Sequence, residues 1–175
     1  MKGTDYMPLH EISPQQLYSD PFSMLSKDWM LITAGNNDEV NTMTASWGGF
    51  GILWNKPVAY IFIRPERYTR QFLDMNQTFS LTFYTGEYRK TLSYFGSISG
   101  KEEPKIRNAN FNTAFIHDTP YFEEAHTILI CRKLYCQNLT SSSFIDKEIC
   151  IKNYPSEDYH LMYIAEITNI YENQR

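Results

Sequence analysis

One stretch of the chain reads Asn41-Thr42-Met43-Thr44-Ala45-Ser46-Trp47-Gly48-Gly49-Phe50-Gly51. Its first part follows the period-2 pattern of a β-strand, so Thr42, Thr44 and Ser46 would share one face as a row of hydroxyl groups. Small side chains let a flat ligand approach the backbone closely. The glycines would allow backbone N–H groups to point at an anion or a carbonyl oxygen. The stretch therefore indicates a strand that can line a ligand site.

The same stretch also has a plainer interpretation. A strand face of Thr and Ser is usually a solvent face, and Gly-Gly is usually a bend. The glycines do not form a dinucleotide-binding fingerprint, because the chain continues with Trp54-Asn55-Lys56-Pro57 and another strand instead of a helix. Taken alone, this stretch leaves both interpretations open.

Further strands are predicted on both sides of this stretch. In residues 79–84, Phe79, Leu81 and Phe83 face one way and polar side chains the other, which predicts a half-buried strand. Residues 58–63 are apolar on both faces, which predicts a central strand. The complete set of predicted strands is residues 29–33, 41–47, 58–63, 79–84, 128–139 and 161–171.

Helical spacing occurs twice between these strands. Tyr68, Phe72 and Met75 lie at i, i+4 and i+7, and residues 88–95 repeat the spacing. Turn residues 35–38 predict a hairpin connection, and residues 99–119 predict a long irregular loop. We therefore expect a mainly β, antiparallel fold with a few short helices, in a single domain over residues 1–175.

The composition favours a globular protein, with 42% hydrophobic and 21% charged residues. The aromatic share of 15% exceeds what an ordinary core requires, so some rings are expected at a ligand or an interface. The net charge of −4 gives no basic footprint for nucleic acid. Neither a membrane span nor a secretion signal is apparent, so we expect a cytoplasmic protein without a membrane partner.

The cysteines and most of the histidines suggest no metal site. Cys131, Cys136 and Cys150 are odd in number and lack zinc-ligand spacing, so they are interpreted as reduced, mostly packing residues. Three of the four histidines, His10, His117 and His126, show no spacing typical of a metal site or a catalytic triad. We therefore predict neither a disulfide framework nor a bound metal.

A second candidate segment reads Arg64-Pro65-Glu66-Arg67-Tyr68-Thr69, between the central strand and the first helix. Two guanidinium groups, a hydroxyl and the free N–H groups of a helix start would suit a phosphate. The alternative is a surface arginine pair bonded to Glu66, with Thr69 as the helix N-cap. From the residues alone these interpretations are about equally favoured.

Two further candidates follow later in the chain. The segment Ser97-Ile98-Ser99-Gly100-Lys101 could close over a phosphate or a ribityl chain, or it could be an ordinary helix-ending turn. His160 stands at the entry to the last long strand, where it would lie at a barrel rim. A capping or rim-packing histidine is the simpler interpretation.

In their order along the chain, these segments resemble the FMN-binding split-barrel flavin reductases, particularly the flavoredoxin-like branch. The resemblance covers roughly residues 20 to 170 and also includes Leu53-Trp54-Asn55-Lys56-Pro57, Tyr88-Arg89-Lys90 with Leu92, the 96–101 turn and Tyr159-His160-Leu161-Met162-Tyr163-Ile164-Ala165-Glu166-Ile167. It implies a Greek-key-like split β-barrel, FMN as cofactor and a homodimer in which the two chains complete the flavin pocket.

The resemblance also implies roles for the candidate residues. The isoalloxazine ring and ribityl chain would be held by Asn41, Thr42, Met43, Thr44, Ala45, Ser46 and Trp47. The phosphate region would be held by Arg64, Pro65, Arg67, Tyr68 and Thr69, with Ser97, Gly100 and Lys101 closing over it. Many reductases of this family carry Gly-Asp-His before the last strand, with the histidine near the nicotinamide. This chain reads Asp158-Tyr159-His160, so the histidine is kept and the glycine is not.

The expected function is that of an FMN-dependent oxidoreductase. Electrons or hydride would pass from NAD(P)H or a protein donor through FMN to a flavin or another small acceptor, with His160 as the catalytic candidate. One alternative is a non-catalytic, flavin-binding electron carrier. Another is a split barrel of the pyridoxamine-phosphate-oxidase or haem-handling type, which the segment from Arg64 to Thr69 makes less favourable.

Overall fold

The computed structural model describes residues 9–17 and 20–173. Its strands are β1 (Leu9–Ile12), β2 (Met30–Gly35), β3 (Val40–Ala45), β4 (Gly48–Leu53), β5 (Lys56–Ile63), β6 (Thr78–Phe83), β7 (Thr113–Ile116), β8 (Thr119–Phe122), β9 (Thr127–Asn138) and β10 (Leu161–Asn173). Its α-helices are α1 (Pro21–Ser23), α2 (Thr69–Met75), α3 (Arg89–Ser97), α4 (Lys105–Asn108) and α5 (Lys147–Asn153).

One large antiparallel sheet dominates the described part of the chain. Its strand order is β3-β2-β6-β9-β10-β5-β4, with β1 added along β10. The connection from β5 to β6 crosses the positions later filled by β9 and β10, which gives the non-sequential order of a Greek-key-like topology. The strands β7 and β8 form a separate hairpin.

The sheet curls until its two ends meet. The end strands β3 and β4 are consecutive in the chain, and only Ser46 and Trp47 separate them. We call this two-residue connection the seam. The curled sheet encloses a core that includes Met30, Ile61 and Phe79. A second apolar cluster includes Phe95, Phe111 and Phe122 and is contributed partly by α3 and β8. The seam is therefore the place where the barrel closes without hydrogen bonding between strands.

Most of the predicted fold is confirmed. Each of the six predicted strands and both predicted helices are present with end shifts of one or two residues. The predicted turn is also confirmed, because the Asn36 N–H donates to the Glu39 carbonyl at 3.0 Å and closes the β2–β3 hairpin. The mainly β, antiparallel class with a few short helices is therefore the observed one.

Two local predictions are wrong, and one interpretation left open above is decided. The glycine run after Trp47 is the strand β4 and not a bend, and a Cβ at Gly48 would lie 2.6 Å from the Tyr60 carbonyl oxygen of β5. Residues 99–119 are not one loop, since α4 and β7 lie within them. The strand β6 is not half-buried, because the Ser80 hydroxyl is buried and donates to the Pro120 carbonyl of β8 at 2.6 Å.

No helix within the described ranges is long and apolar enough to cross a membrane. The domain prediction also extends to residues 1–8, 18–19 and 174–175, which lie outside the described residues.

Candidate functional site

Two adjoining cavities lie along β3, the strand that leads into the seam. The first, of about 190 Å³, is lined by residues of the seam, the end of β3 and the start of β10, and we call it the seam cavity. The second, of about 230 Å³, lies between the start of α2 and the end of α3, and we call it the turn cavity. Met43 and Arg67 line both, so the two cavities form one groove.

The groove collects most of the residues predicted from the sequence. The seam cavity is lined by Met43, Thr44, Ala45, Ser46, Trp47, Arg64, Arg67 and His160. The turn cavity is lined by Asn41, Met43, Arg67, Tyr68, Thr69, Ser97 and Gly100. Three separate stretches of sequence are thus brought to one groove by the curl of the sheet.

Three predicted residues do not line this groove. Thr42 is fully buried, and its hydroxyl donates to the Ile32 carbonyl at 3.2 Å. Pro65 lies in the turn before α2 and lines neither cavity. Lys101 lies beside the turn cavity, with its ammonium 4.9 Å from the centre of the Tyr68 ring.

Most hydroxyls of the predicted row already form hydrogen bonds within the protein. The Thr44 hydroxyl donates to the Leu92 carbonyl at 2.5 Å, and Thr42 is engaged in the same way with Ile32. Each of these hydroxyls donates its hydrogen bond to a backbone carbonyl, so towards other partners it can act only as an acceptor. Ser46 is the member of the row that faces the groove without a hydrogen bond among the described residues.

The two arginines have different roles. Arg64 forms an ion pair with Asp158 and donates to the Asn153 carbonyl at 3.0 Å. Arg67 donates to the Gly96 carbonyl at 2.8 Å and has no ion-pair partner within the described part of the chain. Neither arginine is paired with Glu66 there, so the surface-pair interpretation is not what the structure shows. Arg67 is the guanidinium that is free to neutralise a ligand.

Thr69 is held by Asn41, its neighbour across the groove. The Asn41 Nδ2 group donates to the Thr69 hydroxyl at 2.9 Å, and both side chains are buried. Thr69 is the first residue of α2 and not its N-cap, a position occupied by Tyr68. Because the Thr69 oxygen accepts from Asn41, its own proton is directed elsewhere and can be donated to an anion in the turn cavity.

Gly100 is required for the shape of the turn cavity. A Cβ built on Gly100 would lie 2.2 Å from the Asn41 Oδ1 atom. Any other residue at this position would displace the amide that orients Thr69. The predicted role of the 97–101 segment as a closing turn therefore has a steric basis.

Lys105 is a site residue that the sequence analysis missed. It belongs to α4, is only 4% exposed, and donates from Nζ to the Phe95 and Ile98 carbonyls at 2.9 and 2.8 Å. Burial, with repulsion from Arg67, lowers the pKa of Lys105 to about 8. No carboxylate lies within ion-pair distance of Lys105 among the described residues. Arg67 and Lys105 therefore lack a carboxylate within ion-pair distance among the described residues, while Glu66 and Glu102 line the same cavity further away. Two such unpaired cations suit a phosphate.

His160 occupies the other end of the groove. It is buried, its ring centre lies 5.2 Å from that of Trp47, and its Nδ1 atom lies 2.9 Å from the Tyr154 hydroxyl. Burial and the charge of Arg64 lower the pKa of His160, which favours the neutral ring. Tyr154 was also missed, because its relation to His160 depends on the fold of residues 144–160.

The geometry of the groove matches an elongated ligand with one anionic end and one planar end. Cations and a buried hydroxyl lie at the turn cavity, while Trp47 and His160 form the opposite end. The groove also runs along β3, an end strand whose outer edge pairs with no other strand of the described ranges. Backbone groups on that edge are therefore available to a ligand.

Comparisons with known proteins agree with this geometry. A family model described as "Flavin reductase like domain" matches residues 22–175. No curated protein matches the chain. Among solved structures, an FMN-binding domain of a flavin reductases-like enzyme from Shewanella baltica is similar, with a TM-score of 0.69 and 16% identity, over 95% of this chain and 78% of that one.

Two flavoredoxin structures are similar as well. The one from Methanosarcina acetivorans has a TM-score of 0.65 and 20% identity, over 84% of this chain and 69% of that one. The one from Desulfovibrio vulgaris (Miyazaki F) has a TM-score of 0.65 and 17% identity, over 93% of this chain and 78% of that one. Likeness at this identity concerns the fold, and it confirms the predicted split barrel.

Proposed function

The chain belongs to the flavin reductase-like domain family, and from this membership we propose that it binds FMN and acts as an FMN-dependent oxidoreductase. Electrons or hydride would pass from NAD(P)H or a protein donor through FMN to a flavin or another small acceptor. The observation that carries this proposal is the groove, whose unpaired cations and aromatic end suit the phosphate and the ring of one FMN molecule.

The phosphate would be held at the turn cavity. Arg67 supplies a guanidinium and Lys105 an ammonium, and neither has a carboxylate partner in the described chain. The Thr69 proton and the backbone of the 97–101 turn add donors that fit the same anion. Arg64 plays a different part, since its ion pair with Asp158 holds the wall of the seam cavity.

The ring would lie at the seam cavity, along residues 43–47 of β3 and the seam. FMN supplies the hydride and electron chemistry when bound, so the chain needs no nucleophile of its own. Backbone N–H groups on the free edge of this segment would stabilise negative charge that develops on the ring. Trp47 and His160 would shield that end of the groove from water and orient a donor.

His160 would act as a neutral hydrogen-bond donor. We assign the Tyr154 hydroxyl as the donor and Nδ1 of His160 as the acceptor, because the hydroxyl has no other acceptor among the described residues. A histidine that accepts at Nδ1 carries its own proton on Nε2. That N–H is the group available to position the carboxamide of a nicotinamide.

We also propose a homodimer, a cytoplasmic location and a single domain. Exposed apolar side chains cluster near the β4 edge, where Ile52 is 70% and Trp54 54% exposed. An exposed strand edge flanked by apolar groups is typically covered by a second chain in small barrels. The three cysteines are free, as suits a reducing compartment.

A visible absorption spectrum and anaerobic stopped-flow measurements test the proposal. We expect the purified protein to bind one FMN per chain and to bleach the flavin band on addition of NADH or NADPH. FMN binding without reduction by either nucleotide would instead assign the chain as a flavin-binding electron carrier. Failure to bind FMN would refute the proposal.

A further inference from the structure

Lys105 is buried, but two cavities reach it. It lines the turn cavity and also a larger cavity of about 640 Å³, bounded by α4, β7 and the start of β3, which we call the outer cavity. The residue is only 4% exposed, so its side chain is shielded from bulk solvent and yet lies beside space for a small molecule. A small reagent can reach such an amine, whereas the active site of another protein cannot.

The hydrogen bonds of Lys105 determine what its deprotonated form can do. Its Nζ atom donates to the Phe95 carbonyl at 2.9 Å and to the Ile98 carbonyl at 2.8 Å. A neutral amine keeps two N–H groups and gains a lone pair in the third tetrahedral position. Loss of one proton therefore preserves both hydrogen bonds, and the lone pair takes the position that neither carbonyl occupies. The neutral form is a nucleophile that is already held in place.

The environment of Lys105 makes this neutral form accessible near neutral pH. Burial, with repulsion from Arg67, lowers the pKa of Lys105 to about 8. About one tenth of the chains then carry the neutral amine at pH 7, against less than about one in a thousand for an ordinary lysine. Burial and a neighbouring cation are recognised means by which proteins convert a lysine into a nucleophile.

An anion site lies next to this amine. Arg67 donates to the Gly96 carbonyl at 2.8 Å, and Lys105 donates to the carbonyl of the preceding residue, Phe95. The two cations therefore lie side by side at the end of α3. The Thr69 hydroxyl lines the turn cavity together with both of them. A phosphate bound by Arg67 and Thr69 would hold any group bonded to it beside the Lys105 amine.

We propose that Lys105 is a site of acylation by small acyl phosphates, of which acetyl phosphate is the simplest. The inference rests on the phosphate site of the proposed function, because the reagent's phosphate occupies the turn cavity. The neutral amine attacks the acyl carbon, so that an N–C bond forms and the C–O bond to the phosphate breaks. One amine proton leaves with the phosphate as hydrogen phosphate. The products are acetyl-lysine and inorganic phosphate, and no further reactant is needed.

Acylation of Lys105 would act on the flavin site. It removes the positive charge and one of the two N–H donors, and it adds an acetyl group beside the turn cavity. The phosphate of FMN would lose a charge-assisted contact, which lowers affinity by about tenfold or more. The chain would therefore release its flavin in response to acyl phosphates, and bound FMN would in turn protect Lys105.

Incubation of the purified full-length, flavin-free chain with acetyl phosphate tests the proposal, with acetylation of each lysine followed by peptide mass spectrometry. We expect Lys105 to react about tenfold faster or more than the exposed Lys90 and Lys147. Its larger neutral fraction outweighs the lower nucleophilicity of a weaker base. Inorganic phosphate should slow the reaction of Lys105 and leave that of the two exposed lysines unchanged.

Two arginine variants separate phosphate binding from mere accessibility. Arg67→Ala should slow the acetylation of Lys105 by roughly tenfold or more, because the reagent loses a charge-assisted contact. Arg70→Ala is the matched control. It removes a guanidinium that pairs with Asp74 and lines neither the turn cavity nor the outer cavity, so the rate at Lys105 should stay the same.

Three outcomes would overturn the proposal. They are acetylation of Lys105 no faster than that of the exposed lysines, a rate at Lys105 that inorganic phosphate does not lower, and faster acetylation by acetyl coenzyme A than by acetyl phosphate. A chain that binds FMN while Lys105 stays unmodified would refute this inference and leave the proposed function intact. A chain that is acetylated selectively at Lys105 and binds no FMN would support the inference and refute the proposed function.

Discussion

The Tyr154 hydroxyl lies 2.9 Å from Nδ1 of His160, at the point where the last long strand begins. The Arg64 guanidinium lies 5.4 Å from the centre of the Tyr154 ring and is itself tied to Asp158. These contacts connect an ion pair to the phenol and the phenol to the imidazole. They hold the imidazole in place, and in the tautomer proposed above its Nε2–H group would be the donor to a ligand, which makes the pair a direct subject for mutation.

We expect His160→Ala to slow flavin reduction by NAD(P)H. Loss of a positioned polar group typically lowers a rate by about tenfold to a thousandfold. Tyr154→Phe should give a smaller decrease in the rate of the same step, because the imidazole of His160 remains in place but its tautomer is no longer fixed by the phenol. Stopped-flow reduction measures both, and the FMN affinity serves as the control. Unchanged kinetics in both variants would make His160 a packing residue.

We expect Arg67→Ala to weaken FMN binding and to spare riboflavin, which lacks the phosphate. Loss of one charge-assisted contact costs about 1.5–3 kcal/mol, or roughly ten- to a hundredfold in affinity. Fluorescence titration with both flavins measures the difference. Equal FMN affinity in the variant and the parent would remove Arg67 from the phosphate site.

We expect FMN affinity to decrease as the pH rises through about 8. The pKa of Lys105 is lowered to about 8 in the free protein, and a bound phosphate dianion raises it by attraction. The contribution of Lys105 to FMN affinity is therefore fully present at pH 7, where its ammonium is protonated with or without ligand. This contribution is lost at higher pH, as Lys105 of the free protein deprotonates. Titrations from pH 7 to 9.5 should show this decrease, and Lys105→Arg should abolish it. A flat profile in the parent would contradict the assignment.

We expect Gly100→Ala to impair phosphate binding through Asn41. The added methyl group would lie 2.2 Å from the Asn41 Oδ1 atom, so the amide must move and release Thr69. FMN affinity should decrease by roughly tenfold or more, because losing one oriented hydrogen bond to a charged phosphate costs about 1.5–3 kcal/mol. Gly86→Ala is the matched control, since an added Cβ meets no atom there within 4 Å.

We expect the chain to sediment as a dimer at micromolar concentration. Ile52→Asp on the exposed edge strand β4 should shift it toward the monomer, because a carboxylate would be buried in an apolar interface. The thermal stability of the dilute protein controls for folding. A parent chain that is monomeric with FMN bound would contradict the homodimer.

Periodicity was sufficient for the main strands and helices, because their apolar positions follow the geometry of the elements directly. It failed at β4, since Gly48 and Gly49 provide no side-chain pattern and the strand is specified by its pairing with Tyr60. It also failed at β6, where Ser80 looks solvent-facing in sequence but is covered by a hairpin some 40 residues later. Contacts of that separation are not encoded in local spacing.

The site residues, too, were only partly predictable from the sequence. The segments around Thr44 and Arg67 could be found because their order along the chain resembles that of the flavin reductase-like family, although each segment alone also has a plainer interpretation. Lys105 could not, since a lone lysine in a polar segment looks like a solvated side chain until α4 turns it toward the Phe95 carbonyl. The difference between Arg64 and Arg67 also depends on the fold, because it is Asp158 that neutralises one of them.

The open edge of β3 beside the seam affects the stability of the flavin-free protein against aggregation. Among the described strands, none pairs with the outer edge of β3, whose backbone donors and acceptors lie next to the exposed ring of Trp47. Such an edge is a template on which another chain can add a strand. A flavin lying along residues 43–47 would cover it. Flavin binding is therefore expected to reduce aggregation through this edge. In cells depleted of flavin, the folded but empty protein should be lost to precipitation or proteolysis.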